Sequence, residues 1–373
     1  MTARTLTVDS APERMRLDVF LAAELGAEFS RSQATRMIRA GLVRLNGAAA
    51  RAADAVRTGD KVEIHSPPAA PALIFSGRCA APEIEVLYTD DEIVVVNKPA
   101  GMTVHPAPGH PGGTLVDAML ARFPEMAAMV EPDGVMRPGI VHRLDKDTSG
   151  VMVVARTPFA RMELARQFKQ RSVRKIYLAV VRGLVGRERF SVARPVGRHP
   201  VERKRMSVNS RHGREALSEA CVLARMPMAG ADMTLIGVRP LTGRTHQIRV
   251  HLASIGHPCL GDPLYGGRQG KISRSGNLQA KNSQTEPVAA LTDDAISLFG
   301  RQALHALALR LSHPRTAAPL EFIASPPQDL VDFLAARGIA TGRAELEHWI
   351  ELASRPLAER PGKLPVDSSK GLR

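Results

Sequence analysis

The sequence predicts an α+β protein in two units: a large domain built on a mixed, largely antiparallel sheet, and a small basic domain in front of it. Three observations predict this. Apolar residues make up 44% of the 373 residues and charged residues 24%, which is enough apolar matter for a substantial core. Strand-like apolar runs and stretches of helical spacing intermix without the regular alternation that a doubly wound parallel sheet requires. A proline-rich stretch without period, residues 66–82, separates the two units as a linker.

Residues 1–13 carry scattered charges, including Arg4, Asp9 and Glu13, and are expected to form an N-terminal tail. Within 14–65, Leu17, Phe20, Leu21 and Leu25 recur at helical spacing. Ser30 is placed to cap a second helix whose apolar stripe is Ala34, Met37 and Ile38. Arg31, Arg36 and Arg39 avoid that stripe, and Gly41 ends the helix. A short strand bearing Arg44, the turn Asn46-Gly47 and the alternating strand Lys61–Ile64 complete the unit.

The large domain is expected over 83–337. Ile84–Tyr88 and Ile93–Asn97 read as strands joined across Asp90-Asp91, and Lys98-Pro99-Ala100-Gly101 stops the second. Helical spacing follows at Leu115, Met119 and Leu120; a strand at Val151–Ala155 then precedes a helix around Met162–Phe168. Residues 268–294 are rich in Gly, Ser, Gln, Asn and Lys and lack any period, which predicts a mobile insert. From 338 onwards, a weak helix around Trp349 leads into Pro, Lys and Ser, and a C-terminal tail is expected.

Charge is distributed unevenly. The chain has a net charge of +14, and the window Arg156–Arg214 alone holds 17 Lys/Arg against three Asp/Glu, an excess that equals the whole. This window includes the cluster Arg203-Lys204-Arg205. So concentrated a positive surface favours polyanions, above all nucleic acid, and aromatics at 4% suit it to phosphates better than to base stacking. Several classes are disfavoured: no apolar run approaches the ~20 residues of a membrane span, and the first residues lack the apolar core of a secretory signal. A cytoplasmic protein is expected. The three cysteines, Cys79, Cys221 and Cys259, are too far apart for a zinc ribbon and too few for a disulfide framework.

Two stretches are dense in chemistry. In Gly139–Val154, Asp145 stands among cations and turn-formers between apolar runs, on a loop at a sheet edge. An Asx-turn over Thr148-Ser149-Gly150 is the alternative use of Asp145 or Asp147. In Leu241–Leu252, Thr242 is placed to cap a helix with His246, Arg249 and His251 near its polar face. Metal binding there lacks acidic or thiol partners, and no metal is expected. No glycine-rich nucleotide or phosphate loop is present.

The runs Asn97-Lys98-Pro99-Ala100-Gly101, His142-Arg143-Leu144-Asp145-Lys146-Asp147-Thr148-Ser149-Gly150 and Thr242-Gly243-Arg244-Thr245-His246-Gln247-Ile248-Arg249 occur in that order. They resemble the RluA-type pseudouridine synthases. The resemblance extends from about Ile84 to Pro327, and residues 14–65 are similar to the S-four-like RNA-binding domain. With His105-Pro106-Ala107-Pro108-Gly109-His110, the similarity is greatest to the RluD-like branch, whose substrates are uridines of large-subunit ribosomal RNA.

The resemblance implies a pseudouridine synthase fold and an isomerisation of uridine in RNA that needs neither cofactor nor metal. Asp145 matches the essential carboxylate, and Arg244 the arginine that pairs with it. Tyr177 matches the tyrosine that stacks on the target base, and Arg143 the residue that displaces that base. Arg31, Arg36, Arg39, Arg44, Arg203, Lys204 and Arg205 are expected to contact RNA, and the protein is expected to be a monomer. Two other readings remain at this point. Asp145-Lys146-Asp147-Thr148 also fits a haloacid-dehalogenase-like phosphotransferase with Asp293-Asp294, which needs magnesium. A ribosomal RNA binder without catalysis is the other.

Overall fold

The computed structural model describes residues 3–10, 12, 14–25, 31–65, 82–106, 112–129, 138–202, 204–228, 232–266 and 299–356. Ser30, nearly all of the expected linker and the whole expected insert lie outside them.

The first unit has strand β1 (Ala3–Thr7), helices α1 (Leu17–Glu24) and α2 (Arg31–Arg39), and strands β2 (Val43–Leu45), β3 (Ala48–Ala49) and β4 (Lys61–His65). The strands form an antiparallel sheet in the order β1-β4-β2-β3. Leu17, Phe20, Leu21, Ala34, Met37 and Val62 make its core. Asn46 and Gly47 both take left-handed φ, +52° and +78°, as a two-residue hairpin turn requires. Between the helices, the buried Asp18 accepts hydrogen bonds from Arg16 and Arg31, each at 3.0 Å. One expectation is corrected. Residues 3–7 are no tail: β1 pairs along β4, and Val8 beyond it is fully buried. The alternation that seats this strand is short and diluted by charges, so it shows only once β4 offers it a free edge.

The large domain carries a nine-stranded sheet. Its strands are β5 (Glu85–Thr89), β6 (Ile93–Lys98), β7 (Ser149–Ala155), β8 (Arg174–Arg182), β9 (Arg189–Ala193), β12 (Leu217–Met226), β13 (Met233–Pro240), β14 (Leu304–Ser312) and β15 (Pro319–Ile323). The order is β5-β6-β7-β14-β8-β13-β12-β9, with β15 added on β14, and the β7–β14 pair is parallel while the other pairs are antiparallel. A small hairpin, β10 (Gly197–Arg198) with β11 (Met206–Ser207), stands apart.

Helices α3 (Leu115–Arg122), α4 (Pro158–Gln170), α5 (Gln247–Ser254), α6 (Gln328–Ala335) and α7 (Arg343–Ser354) accompany the sheet. Thr114 and Asp117 form a reciprocal capping box on α3, and Thr157 with Pro158 starts α4. One core gathers around β6, β7 and α3, and a second around β8, β13, β14, α6 and α7.

Helix α7 corrects the expected C-terminal tail. Leu346, Trp349, Ile350 and Ala353 lie on one buried stripe, and α7 approaches so closely that a Cβ on Gly237 of β13 would stand 2.9 Å from the Ala353 Cβ. Arg189 and Arg239 donate to the carbonyls of Leu352 and Ser354, where the helix dipole favours cations. Residues 357–373 lie outside the described residues.

Candidate active site

Asp145 lies on the loop that leads into β7, an interior strand flanked by β6 and β14, so it stands at the end of the sheet and not at a lateral edge. Neighbouring elements fix this loop from several sides. Lys98, at the end of β6 and fully buried, donates from Nζ to the carbonyls of Pro99, Met102 and Lys146 at 2.7, 2.9 and 3.0 Å. Burial pulls its pKa down to about 7, against the pull of Asp147 and Asp145. Gln302 donates to the Thr148 hydroxyl, and Ser149 Oγ meets His305 Nδ1 at 2.9 Å. At Gly150, where φ is +122°, a Cβ would stand 2.3 Å from the Ala306 carbonyl oxygen, so only glycine lets β7 approach β14 here.

The turn over 145–148 is closed by the backbone, Thr148 N–H donating to the Asp145 carbonyl at 3.1 Å. This leaves the carboxylate to face across the site. Its Oδ2 accepts from Arg249 Nη1 at 3.0 Å, and its Oδ1 lies 3.8 Å from His246 Nε2. Arg249 is itself locked: Nε and Nη2 reach the two oxygens of the fully buried Asp262 carboxylate at 2.7 and 2.8 Å. The Asp262 Oδ1 also accepts from the backbone N–H groups of Leu264 and Tyr265. Burial lowers the Arg249 pKa, but Asp262 and Asp145 outweigh it and the net direction is up.

The Tyr265 ring supports the same group. Its centroid lies 5.1 Å from the Arg249 guanidinium, and its hydroxyl meets His246 Nδ1 at 2.8 Å while accepting from Met206 N–H at 2.7 Å. The phenol so fixes the imidazole through Nδ1 and turns Nε2 toward Asp145. Burial, opposed chiefly by Asp145, lowers the His246 pKa, in keeping with a neutral ring. His246 also holds a left-handed φ of +56° directly before α5.

A cleft of about 860 Å³ opens on this carboxylate, and Arg143, Lys175, Tyr177, Arg244 and Arg249 are among its lining. The structure therefore brings all four sequence-predicted site residues to one place. It corrects one pairing: the arginine on Asp145 is Arg249, not Arg244. Arg244 precedes α5, where its Nε donates to the Glu215 carbonyl at 3.1 Å, whereas Arg249 is inside the helix on the turn that faces the Asp145 loop. Arg143 is exposed at the cleft. Tyr177 is half-buried on β8, and burial, then Asp145, raise its phenol pKa.

Further differences concern α5. The helix starts at Gln247, and Thr242 Oγ1 caps no helical N–H; it donates to Gln247 Oε1 at 2.7 Å. Arg249 and His251, expected on a polar face, are both buried. Among the described residues no three His, Cys, Asp or Glu side chains gather as a metal site would need. Asp293-Asp294 lies outside them.

Sequence reasoning missed Lys98, Asp262 and Tyr265 as site residues. A strand end at Lys98 and the run Gly261-Asp262-Pro263 stand in the sequence, and neither pattern shows what the side chain meets. Of the expected RNA contacts, Arg31, Arg39, Arg44 and Lys204 are exposed and Arg36 half-buried, while Arg203 lies outside the described residues. Arg31 is engaged with Asp18, and Arg205 reaches the Tyr265 ring at 5.5 Å, bringing the β10–β11 hairpin against the site.

Comparison with known proteins decides between the readings. Residues 92–254 match the family described as RNA pseudouridylate synthase, and residues 15–62 match the S4 domain. Ribosomal large subunit pseudouridine synthase D of Xylella fastidiosa is 41% identical over 338 residues, which covers 90% of this chain and 92% of that one. The chain belongs to the RNA pseudouridylate synthase family. An uncharacterized RNA pseudouridine synthase of Aquifex aeolicus is 44% identical over 263 residues, 70% of this synthase and 80% of its own length. Human RNA pseudouridylate synthase domain containing 1 superposes with a TM-score of 0.52 at 27% identity, covering 74% of the synthase and 98% of the human chain. The protein is thus an RNA pseudouridine synthase, an isomerase, with a mixed-sheet α+β fold and an N-terminal S4 domain. The phosphotransferase and the non-catalytic binder are set aside. Among the described residues no helix is long and apolar enough to cross a membrane.

Proposed function

We propose that the synthase isomerises uridines of large-subunit ribosomal RNA, with Asp145 as the catalytic carboxylate and without a cofactor. The observation that carries this reading is the Asp145 carboxylate at the base of a basic cleft, held on one oxygen by an arginine that Asp262 locks in place. A carboxylate so held is positioned to attack the sugar C1′ or to take its C2′ proton; both routes break the N1–C1′ bond. The freed uracil turns and its C5 bonds to C1′, displacing the carboxylate on the first route or with the proton returned to C2′ on the second; the C5 proton then leaves and N1 gains one. Atoms and electrons balance within the nucleoside, so the step calls on no oxidant, reductant or cofactor.

The remaining residues take roles along this path. The target base must leave its stack to reach the carboxylate, and the exposed Arg143 guanidinium fills the gap. Tyr177, kept neutral, offers its ring to the extruded uracil. Arg244, which does not pair with Asp145, is free to take a phosphate. Arg31, Arg36, Arg39 and Arg44 of the S4 domain, with Arg203, Lys204 and Arg205, contact RNA farther out. Large-subunit ribosomal RNA is supported by relatives named ribosomal large subunit pseudouridine synthase D, about 40% identical along most of both chains. The synthase acts as a monomer in the cytoplasm, on RNA free or within an assembling large subunit.

The test is a carbodiimide-adduct primer-extension map of large-subunit ribosomal RNA after incubation with wild-type or Asp145→Ala protein. Stops with the wild type alone, at unchanged RNA affinity, are expected. Isomerisation by Asp145→Ala would overturn the assignment of the carboxylate, and a map without stops beside conversion of another RNA would overturn the substrate.

A further inference from the structure

Lys175 is a half-buried cation of the cleft that the reaction path above leaves unused. It lies on β8 two residues before Tyr177, so both side chains leave the same face of the strand, and both line the cleft. Its Nζ stands 5.9 Å from the centroid of Phe168 near the end of α4 and 3.8 Å from where a Cβ on Gly243 would be. The amine is thus packed between α4 and the Thr242–Arg244 turn. Among the described residues it makes neither an ion pair nor a hydrogen bond. Burial lowers its pKa and no carboxylate opposes that shift.

Other cations converge on the same wall. The Arg244 pKa is lowered by burial and then by Arg214 and Arg171, with only the exposed Glu215 opposing. Arg171 closes α4 in a left-handed conformation at φ +60° and, like Arg214, is exposed at the cleft. Neither makes an ion pair among the described residues, and the side-chain contact of Arg244 is to a neutral carbonyl. A partly buried ammonium packed against the Gly243 turn, next to an Arg244 guanidinium repelled by Arg214 and Arg171, is unfavourable in the free protein unless a ligand supplies the anion.

We propose that Lys175, with Arg171, Arg214 and Arg244, forms a subsite for the backbone phosphate of the target nucleotide. This rests on the reading above that the target uridine enters at Asp145 and Tyr177. A nucleotide with its sugar at Asp145 and its base at Tyr177 carries its own phosphodiester along the wall where Lys175 sits. The planar guanidiniums suit the paired non-bridging oxygens, and the ammonium adds a point charge at depth. The subsite anchors the strand while the base is out of its stack, which separates phosphate grip from base contact.

The test is a binding cycle on an RNA fragment whose uridine the wild-type protein converts. Wild-type and Lys175→Met proteins are each measured against the phosphodiester RNA and against RNA with one neutral methylphosphonate at the target phosphate. Loss of a charged hydrogen-bonded contact predicts weakening of about tenfold or more for either change alone. The two changes together should weaken binding by clearly less than the sum of the two losses, the remainder being the guanidiniums' share of the same phosphate, and the salt slope of Lys175→Met should fall by about 0.7–0.9, one phosphate's worth. Lys175→Arg, which keeps the charge, should restore most of the affinity, and thermal unfolding controls for folding. Additive losses or an unchanged salt slope overturn the subsite. If no fragment is converted, the reading of the target fails instead, and the two failures are told apart by the wild-type protein alone.

Discussion

Replacing Arg249 by lysine separates positioning of the carboxylate from mere charge. Arg249 uses three donors at once: two at 2.7 and 2.8 Å bind the two oxygens of Asp262, and the third, at 3.0 Å, binds Asp145. A lysine brings the same charge on one nitrogen and cannot span both carboxylates. The fully buried Asp262, already fixed by the Leu264 and Tyr265 backbone N–H groups, is the site that retains it. Asp145 then loses its charged donor, worth about 1.5–3 kcal/mol. If that interaction acts in the transition state, the rate falls by about 10- to 150-fold. Complete neutralisation is the poorer experiment, because stranding Asp262 costs about 3–5 kcal/mol of stability and mixes folding with catalysis.

The assay is the single-turnover rate at saturating RNA, with RNA affinity and thermal unfolding measured on the same preparation. Affinity within about threefold of wild type and a rate loss in the stated range are expected. A rate within threefold of wild type would refute the positioning argument, as would a rate loss matched by an equal loss of RNA affinity.

Three more expectations concern the scaffold. Lys98→Met keeps the volume but strands three carbonyls, at about 1–3 kcal/mol for each left unsatisfied, and should lower the unfolding free energy by several kcal/mol in all, read as a lower urea midpoint; an unchanged midpoint would show that water replaces the amine. His305 is fully buried, and burial holds its pKa near 4, below the ordinary 6.5, so between those values the unfolded chain binds the extra proton and stability falls as pH falls. The slope should reach up to about 1.4 kcal/mol per pH unit, and His305→Gln should flatten the profile of unfolding free energy against pH over that window. Trp349→Ala empties the stripe of α7 and should cost about 3–5 kcal/mol in thermal or urea unfolding, whereas a true tail would tolerate it without change.

Local chemistry explains which parts of the molecule the sequence disclosed. The first unit was legible because Leu17, Phe20 and Leu21, then Ala34, Met37 and Ile38, repeat at the helical period and form its core. Strands expected at 84–88 and 93–97 occupy Glu85–Thr89 and Ile93–Lys98, since continuous β-branched runs beside an acidic turn leave little choice. Helix α7 was readable as a weak helix around Trp349, but the spacing of Leu346, Trp349, Ile350 and Ala353 at 0, 3, 4 and 7 lies among polar residues, so its docking on the sheet was not. The site divided differently. Its residues were legible as motifs, yet which arginine meets Asp145 depends on where α5 begins, and the lock on that arginine comes from Asp262, on a turn beyond the helix. Burial of Lys98 was equally hidden, because a lysine reads as solvated until three carbonyls converge on it.

The fold also explains why the basic excess is confined to Arg156–Arg214. That window builds α4, β8, β9 and the β10–β11 hairpin, and it sends Lys169, Arg171, Arg174, Lys175 and Arg214 to the cleft. Lys169, Arg171, Arg174 and Arg214 are exposed and Lys175 is half-buried, so the exposed cations raise the local concentration of RNA and are screened by salt. The charges at Asp145 obey a different rule. Arg249 and Asp262 are almost wholly buried and neutralise one another, so the Asp145 carboxylate is held by a fixed, short contact from a buried cation that salt screens little. The chain thus keeps two electrostatic systems within one cleft, an outer one that captures a polyanion and an inner one that aims a single carboxylate. If Asp145 is the catalytic carboxylate proposed above, added salt should therefore weaken RNA affinity while leaving the single-turnover rate at saturating RNA nearly unchanged, and a rate that falls in step with affinity would refute the separation.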